Sequence, residues 1–170
     1  MLEFGGFRLA ALPAPEWTVL ERNAASALLG RRTGSATHTF VAIVMSDTIP
    51  DKDLPLWNSV SGYFDFMRKL KPASLDPSRH TLLEQEYSPP LDKAPTCMRY
   101  RLRVEDRGAP QARGVALPMT IAGVSCTHPD ALRTLVDVSY SERGGPAPES
   151  PRMREEAERF ISSLVFTPLR

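Results

Sequence analysis

"CMRYRLRVED" at residues 97–106 alternates apolar and charged side chains, the period-two pattern of a strand with one covered and one wetter face. "GVALPMTIAGVSC" at 114–126 follows it after the turn-forming "RGAPQAR" at 107–113, so the two segments fold back on each other. One register suits both. With Cys97 opposite Cys126, Val104 faces Met119, Leu102 faces Ile121 and Tyr100 lies over Gly123. On the other face Arg103, Arg101 and Arg99 meet Thr120, Ala122 and Val124, and a slip of one residue would destroy both rows.

That register sets the only two cysteines side by side, with Cβ atoms near the ~3.5–4.5 Å a disulfide needs. A Cys97–Cys126 disulfide is the expected reading, and two reduced packing thiols are the plain alternative. The bridge would close a loop of roughly 30 residues, contribute ~3–4 kcal/mol and imply an oxidising compartment.

Outward from this pair, "HTLLEQEY" at 80–87 and "LRTLVDVSYSE" at 132–142 read as further strands, and "SPPLDKAP" at 88–95 as a rigid extended connection. "HTFVAIVMS" at 38–46 is apolar on both faces from Phe40 to Met45, which predicts a central strand covered on both sides. "FRLAALPAPEWTVLE" at 7–21 predicts two short strands around a proline turn, whereas "AASALLGRRTGSAT" at 24–37 reads mostly as loop with an exposed "GRRTGS" tip.

Two helices are predicted. Asp53 caps one running to about Leu70, with Leu56, Val60, Phe64 and Met67 at helical spacing, Trp57 and Tyr63 flanking, and Pro72 stopping it. Ser150-Pro151 caps the other, whose stripe is Met153, Ala157, Phe160, Ile161 and Leu164, and "VFTP" closes as a short strand. The 170 residues make one domain, 1–170, because the 20 after the Pro/Gly stretch at 144–151 cannot fold alone. The order predicts an α+β fold: a largely antiparallel sheet with helices on both faces, an α/β/α sandwich.

With 21 basic and 20 acidic side chains the chain has no global field to gather nucleic acid or anionic membrane. No stretch approaches the roughly 18–20 apolar residues of a membrane span, and Met1-Leu2-Glu3-Phe4 lacks a signal-peptide plan. The residues offer little chemistry. Cys126 and His128 in "GVSCTHP" lie roughly 6–7 Å apart along an extended strand, too far for a thiol and its base. Adding Asp130 gives three metal ligands without a second motif, and His38 and His80 sit on other elements. Glu84 and Glu86 share a strand face without further support, and Ser139 and Ser141 match no nucleophile motif. No catalytic residue, metal or cofactor is expected. The surface singled out is Arg99, Arg101 and Arg103, three like charges that need either counter-ions within the chain or an acidic partner.

"PEWTVLE", "FVAIVM", "LVDVSYSE" and "AERFISSLVFTP" together resemble the PsbP-like family, whose members open with a strand, a proline and a tryptophan and end in a helix leading to "SL-x-F". The resemblance implies an α/β/α sandwich used as a binding or assembly module outside the cytoplasm, and it transfers no functional residue. The expected function is a non-enzymatic secreted or periplasmic protein-binding module, the soluble part of a bacterial lipoprotein with its signal and lipid anchor upstream, binding a protein with an acidic face. The alternative is a small hydrolase or metal-dependent enzyme using Cys126 and His128 or a converged histidine site.

Overall fold

The computed structural model describes residues 1–13, 15–50, 59–88, 97–109, 112–145 and 149–169. In chain order, β1 (Leu2–Phe4) and β2 (Phe7–Leu9) precede β3 (Thr18–Arg22), β4 (Ser26–Arg32) and β5 (Thr39–Thr48). Helix α1 (Val60–Ala73) leads to β6 (His80–Ser88), β7 (Cys97–Asp106), β8 (Leu117–His128) and β9 (Ala131–Arg143), and α2 (Pro151–Ser162) to β10 (Val165–Phe166). Seven strands form one sheet in the order β3-β4-β5-β9-β8-β7-β6, each neighbouring pair antiparallel. The fold is mixed α+β, a large antiparallel sheet with two helices among the described residues. Among the described residues no helix is long and apolar enough to cross a membrane.

The β7–β8 hairpin has the register that alternation dictates, from Cys97 opposite Cys126 to Val104 opposite Met119. Cys97 and Cys126 are disulfide-bonded, S–S 2.02 Å. Gly123 makes room for the ring of Tyr100, since a Cβ there would lie 2.4 Å from the phenol carbon Cζ. Strand β9 alternates Val136, Val138 and Tyr140, all fully buried, with Asp137 and Ser139 on the opposite face. Val136, Val138 and Tyr140 pack with Met153, Ala157, Phe160 and Ile161 of α2. The Lys71 ammonium of α1 meets Asp137 on the other side of the same strand. Ser150 caps α2, accepting from the Met153 amide at 3.1 Å with Pro151 in the first turn, as its sequence dictates.

Four expectations change. "AASALLGRRTGSAT" holds strand β4, whose buried residues are Ala27, Leu29 and Arg31; an arginine on the inner face hid the alternation. The two N-terminal strands lie in different sheets: β2 pairs with β1 and β10, β3 with β4. Helix α1 passes Pro72 and ends at Ala73; the Arg68 carbonyl, which proline cannot serve, accepts from the Tyr87 hydroxyl at 3.4 Å. Its buried stripe is Tyr63, Met67 and Lys71, with Phe64 only partly covered. The expected cap Asp53, with Pro55, Leu56 and Trp57, lies outside the described residues, and Ser59 caps the described helix by accepting from the Gly62 amide at 3.0 Å.

The fourth change sets up the site. Strand β5 lies inside the sheet, but only Phe40, Ala42 and Val44 are buried, against the α2 side. On the other face Ile43 and Met45 remain 41% and 42% exposed.

Candidate functional site

A groove of about 530 Å³ crosses the α1 face of the sheet. Its floor is β9, where Asp137, Ser139, Ser141 and Arg143 point the same way by strand alternation. The small serines leave a trough between Val41, Ile43 and Met45 of β5 and Ile121 and Met119 of β8. Leu70, Lys71 and Ser74 of α1, with Tyr100 and Leu102 of β7, complete the walls. An apolar trough with a few convergent polar groups is the common form of a binding site.

One end is closed by a buried polar network. Asp137, 5% exposed, receives the Lys71 ammonium, the Ser125 hydroxyl and, at 2.9 Å, the Tyr100 hydroxyl. The Lys71 Nζ lies 4.5 Å from the centre of the Tyr100 ring. Tyr63 donates its hydroxyl to the Ser125 carbonyl at 2.5 Å. Burial, reinforced by the Asp137 charge, pushes both the Tyr100 and Tyr63 phenols well above their ordinary range, so both stay neutral donors. Three donors converging on one carboxylate make a satisfied network that fixes α1 to β8 and β9.

At the other end Asp106, fully buried, is held by Arg79 through two bonds of 2.7 Å, by Arg143 at 3.0 Å and by the Gly108 amide at 2.8 Å. The Arg79 hydrogen bonds foremost hold its carboxyl far below the usual carboxylate range. Because its folded pKa is depressed, Asp106 contributes stability that is complete above the unfolded carboxylate pKa of about 3.9 and is lost as pH falls toward the folded value. Asp106→Asn is therefore expected to unfold more readily than wild type at neutral pH and to lose less additional stability between about pH 4 and pH 2. Chemical denaturation across that window measures it; parallel acid limbs would show that Asp106 is not held by its arginines. His80, 3.8 Å from Asp106, has its pKa lowered chiefly by burial, against the pull of that carboxylate.

The residues singled out by sequence lie on the opposite face. Arg99 holds Glu158 of α2 through bonds of 2.6 and 2.9 Å, Arg101 holds Glu149, and Arg103 holds Glu84 at 2.8 Å. Helix α2 runs over this row and, with the residue just before its cap, supplies two of the three carboxylates. The arginines are thus counter-charged within the chain, the alternative to an acidic partner that their row had left open. Cys126 is committed to the disulfide, so its thiol is no nucleophile beside His128. His128 is fully buried, with Nε2 2.8 Å from the Gly6 carbonyl and 3.1 Å from that of Thr167 and Nδ1 accepting from the Asp130 amide at 3.1 Å. Two carbonyls on one nitrogen require the proton there, so this histidine is a clip between the small and large sheets. His38 pairs with Glu142 at 2.7 Å, apart from both other histidines. Among the described residues no three of His, Cys, Asp and Glu come together as metal ligands.

Sequence reasoning missed Lys71, Asp137 and the Arg79–Asp106–Arg143 cluster. It also missed Arg31, 6% exposed, whose guanidinium donates to both oxygens of Glu156 at 2.9 Å and stacks over Phe40 at 3.8 Å. A signal existed: Asp137 interrupts "LVDVSY", and Glu156 lies within the apolar stripe of α2.

No protein-family model matches the chain, and no curated protein matches its sequence. Among solved structures it is similar to the Saccharomyces cerevisiae Ran-binding protein Mog1p, with TM-score 0.49 and 11% identity over 95% of this chain and 90% of that one. It is also similar to a point mutant of the protein Mog1, with TM-score 0.48 and 12% identity over 95% of this chain and 90% of that one.

Proposed function

We propose that the chain is a non-enzymatic protein-binding module, an α/β/α sandwich whose partner docks on the open half of the α1 face. The supporting observation is the apolar surface on β3 to β5. Ile43 and Met45 are 41% and 42% exposed, Leu28 lies opposite Ile43 across the β4–β5 pair, and Leu20, 57% exposed, folds over Gly30 beside Val41. One strand that buries its other face completely and leaves this one uncovered is what an interface core looks like before its partner arrives. The groups that would serve catalysis are engaged with one another: Lys71 with Asp137, Cys126 with Cys97. The disulfide supports work in an oxidising compartment, secreted or periplasmic. The PsbP-like likeness belongs to the same proposal and rests on its sequence motifs alone.

The test is the double variant Ile43→Glu/Met45→Glu, whose exposed positions should each shift stability by less than about 0.5 kcal/mol. A protein captured by wild type from an extract of the source organism should be lost by this variant and kept by Arg101→Glu. With that partner purified, backbone hydrogen exchange should slow over residues 41–45. Equal capture by the double variant, or protection confined to other strands, overturns the reading.

A further inference from the structure

The trough ends asymmetrically. Over Ser139 and Ser141 its banks are Ile43, Val41 and Ile121, whereas at the Arg143 end two guanidiniums and an imidazole meet one carboxylate that lies wholly beneath them. Arg79 is 39% exposed, and the buried Arg143 Nε and His80 Nδ1 have no hydrogen-bond partner among the described residues. Asp76, the other nearby acid, is fully exposed and turns its carboxylate to the Ser78 amide and hydroxyl. The far end holds Lys71 and Asp137, mutually satisfied and buried, and the exposed carboxylate of Asp47, so it offers no positive charge to a ligand. From Asp137 to Arg143 the strand floor spans about 20 Å.

We propose that this groove binds a free single-chain amphiphile bearing one carboxylate, the head at Arg79 and Arg143 and the alkyl tail along Ser141 and Ser139. Charge complementarity selects the head: a planar carboxylate matches a guanidinium fork, and two guanidiniums over one buried acid leave a positive excess at that end. The apolar banks select the tail, because each buried methylene adds about 0.8 kcal/mol to transfer from water. The volume of about 530 Å³ lies within the range of small-molecule sites.

The probes are dodecanoate, dodecanol, dodecyltrimethylammonium and acetate, each below its micelle threshold, titrated into the intact protein and read by nuclear magnetic resonance. Dodecanoate is expected to shift the methyl signals of Ile121 and Met119 and to raise the pKa of His80, since a new anion beside Arg79, Arg143, Asp106 and Asp76 favours the imidazolium. Dodecanol should bind about tenfold more weakly, as the loss of one charge-assisted contact requires, and the cationic amphiphile and acetate weaker still. Ser141→Phe fills the trough and Met119→Glu neutralises its cationic end, and both should abolish binding; the trough shares Val41 and Ile43 with the proposed docking face, but the titration is made with no protein partner present, so this test and that of protein docking fail separately. Equal binding of the cationic amphiphile, an unmoved His80, or wild-type affinity in the folded variants overturns the proposal. A peptide whose free C-terminal carboxylate displaces dodecanoate at lower concentration would overturn it too, assigning the groove to a protein terminus.

Discussion

Asp137→Ala is expected to destabilise the protein by about 3–5 kcal/mol, the usual consequence of removing one partner of a buried ion pair. The substitution leaves Lys71, 7% exposed, without its counter-charge, and takes from the Tyr100 and Ser125 hydroxyls their shared acceptor. The buried ammonium then bears its desolvation penalty alone. Lys71→Met/Asp137→Leu should recover most of the loss, because two apolar side chains of similar size remove both charges together. Denaturant unfolding of the three proteins decides it. If Asp137→Ala loses less than about 1 kcal/mol, water reaches the pair and the network does not hold α1 on the sheet.

Phe160→Ala is the second large effect, about 3–5 kcal/mol from lost burial and the cavity left behind. Phe160 is 2% exposed and packs in the cluster that joins α2 to Val136, Val138 and Tyr140. Phe160→Leu, closer in volume, should lose less than about 1.5 kcal/mol. A lowered denaturant midpoint at unchanged slope would identify a simple packing loss. Wild-type stability of Phe160→Ala would mean that α2 is anchored by its Glu156 and Glu158 ion pairs instead.

Legibility followed the range of the interactions. Alternation in "CMRYRLRVED" and "MTIAGVSC" specifies the β7–β8 register, because side chains of one strand can satisfy only one face at a time. The apolar stripe of α2 was equally plain, since its period and its Ser-Pro cap are local. Strand β4 was obscured because Arg31 occupies an inward position, and an arginine can do so only with Glu156 waiting 125 residues away. The face of α1 was misjudged because Lys71 belongs to its buried stripe, which only Asp137 makes tolerable. The arginine row was visible, yet its meaning was not: α2 comes back over it with Glu158, and no local pattern encodes that return.

By itself, then, the sequence determined what short-range sterics and periodicity control: the antiparallel hairpin that aligns Cys97 with Cys126, the capped C-terminal helix and the α+β class. Tertiary structure alone decided which arginines were engaged, which apolar face of β5 stayed open, and that Arg79, Asp106 and Arg143 met at the end of a groove. The physical reason is that an ion pair's partner and a strand's cover come from distant chain segments. Burial makes such pairs obligatory, but only the folded topology says with whom they form.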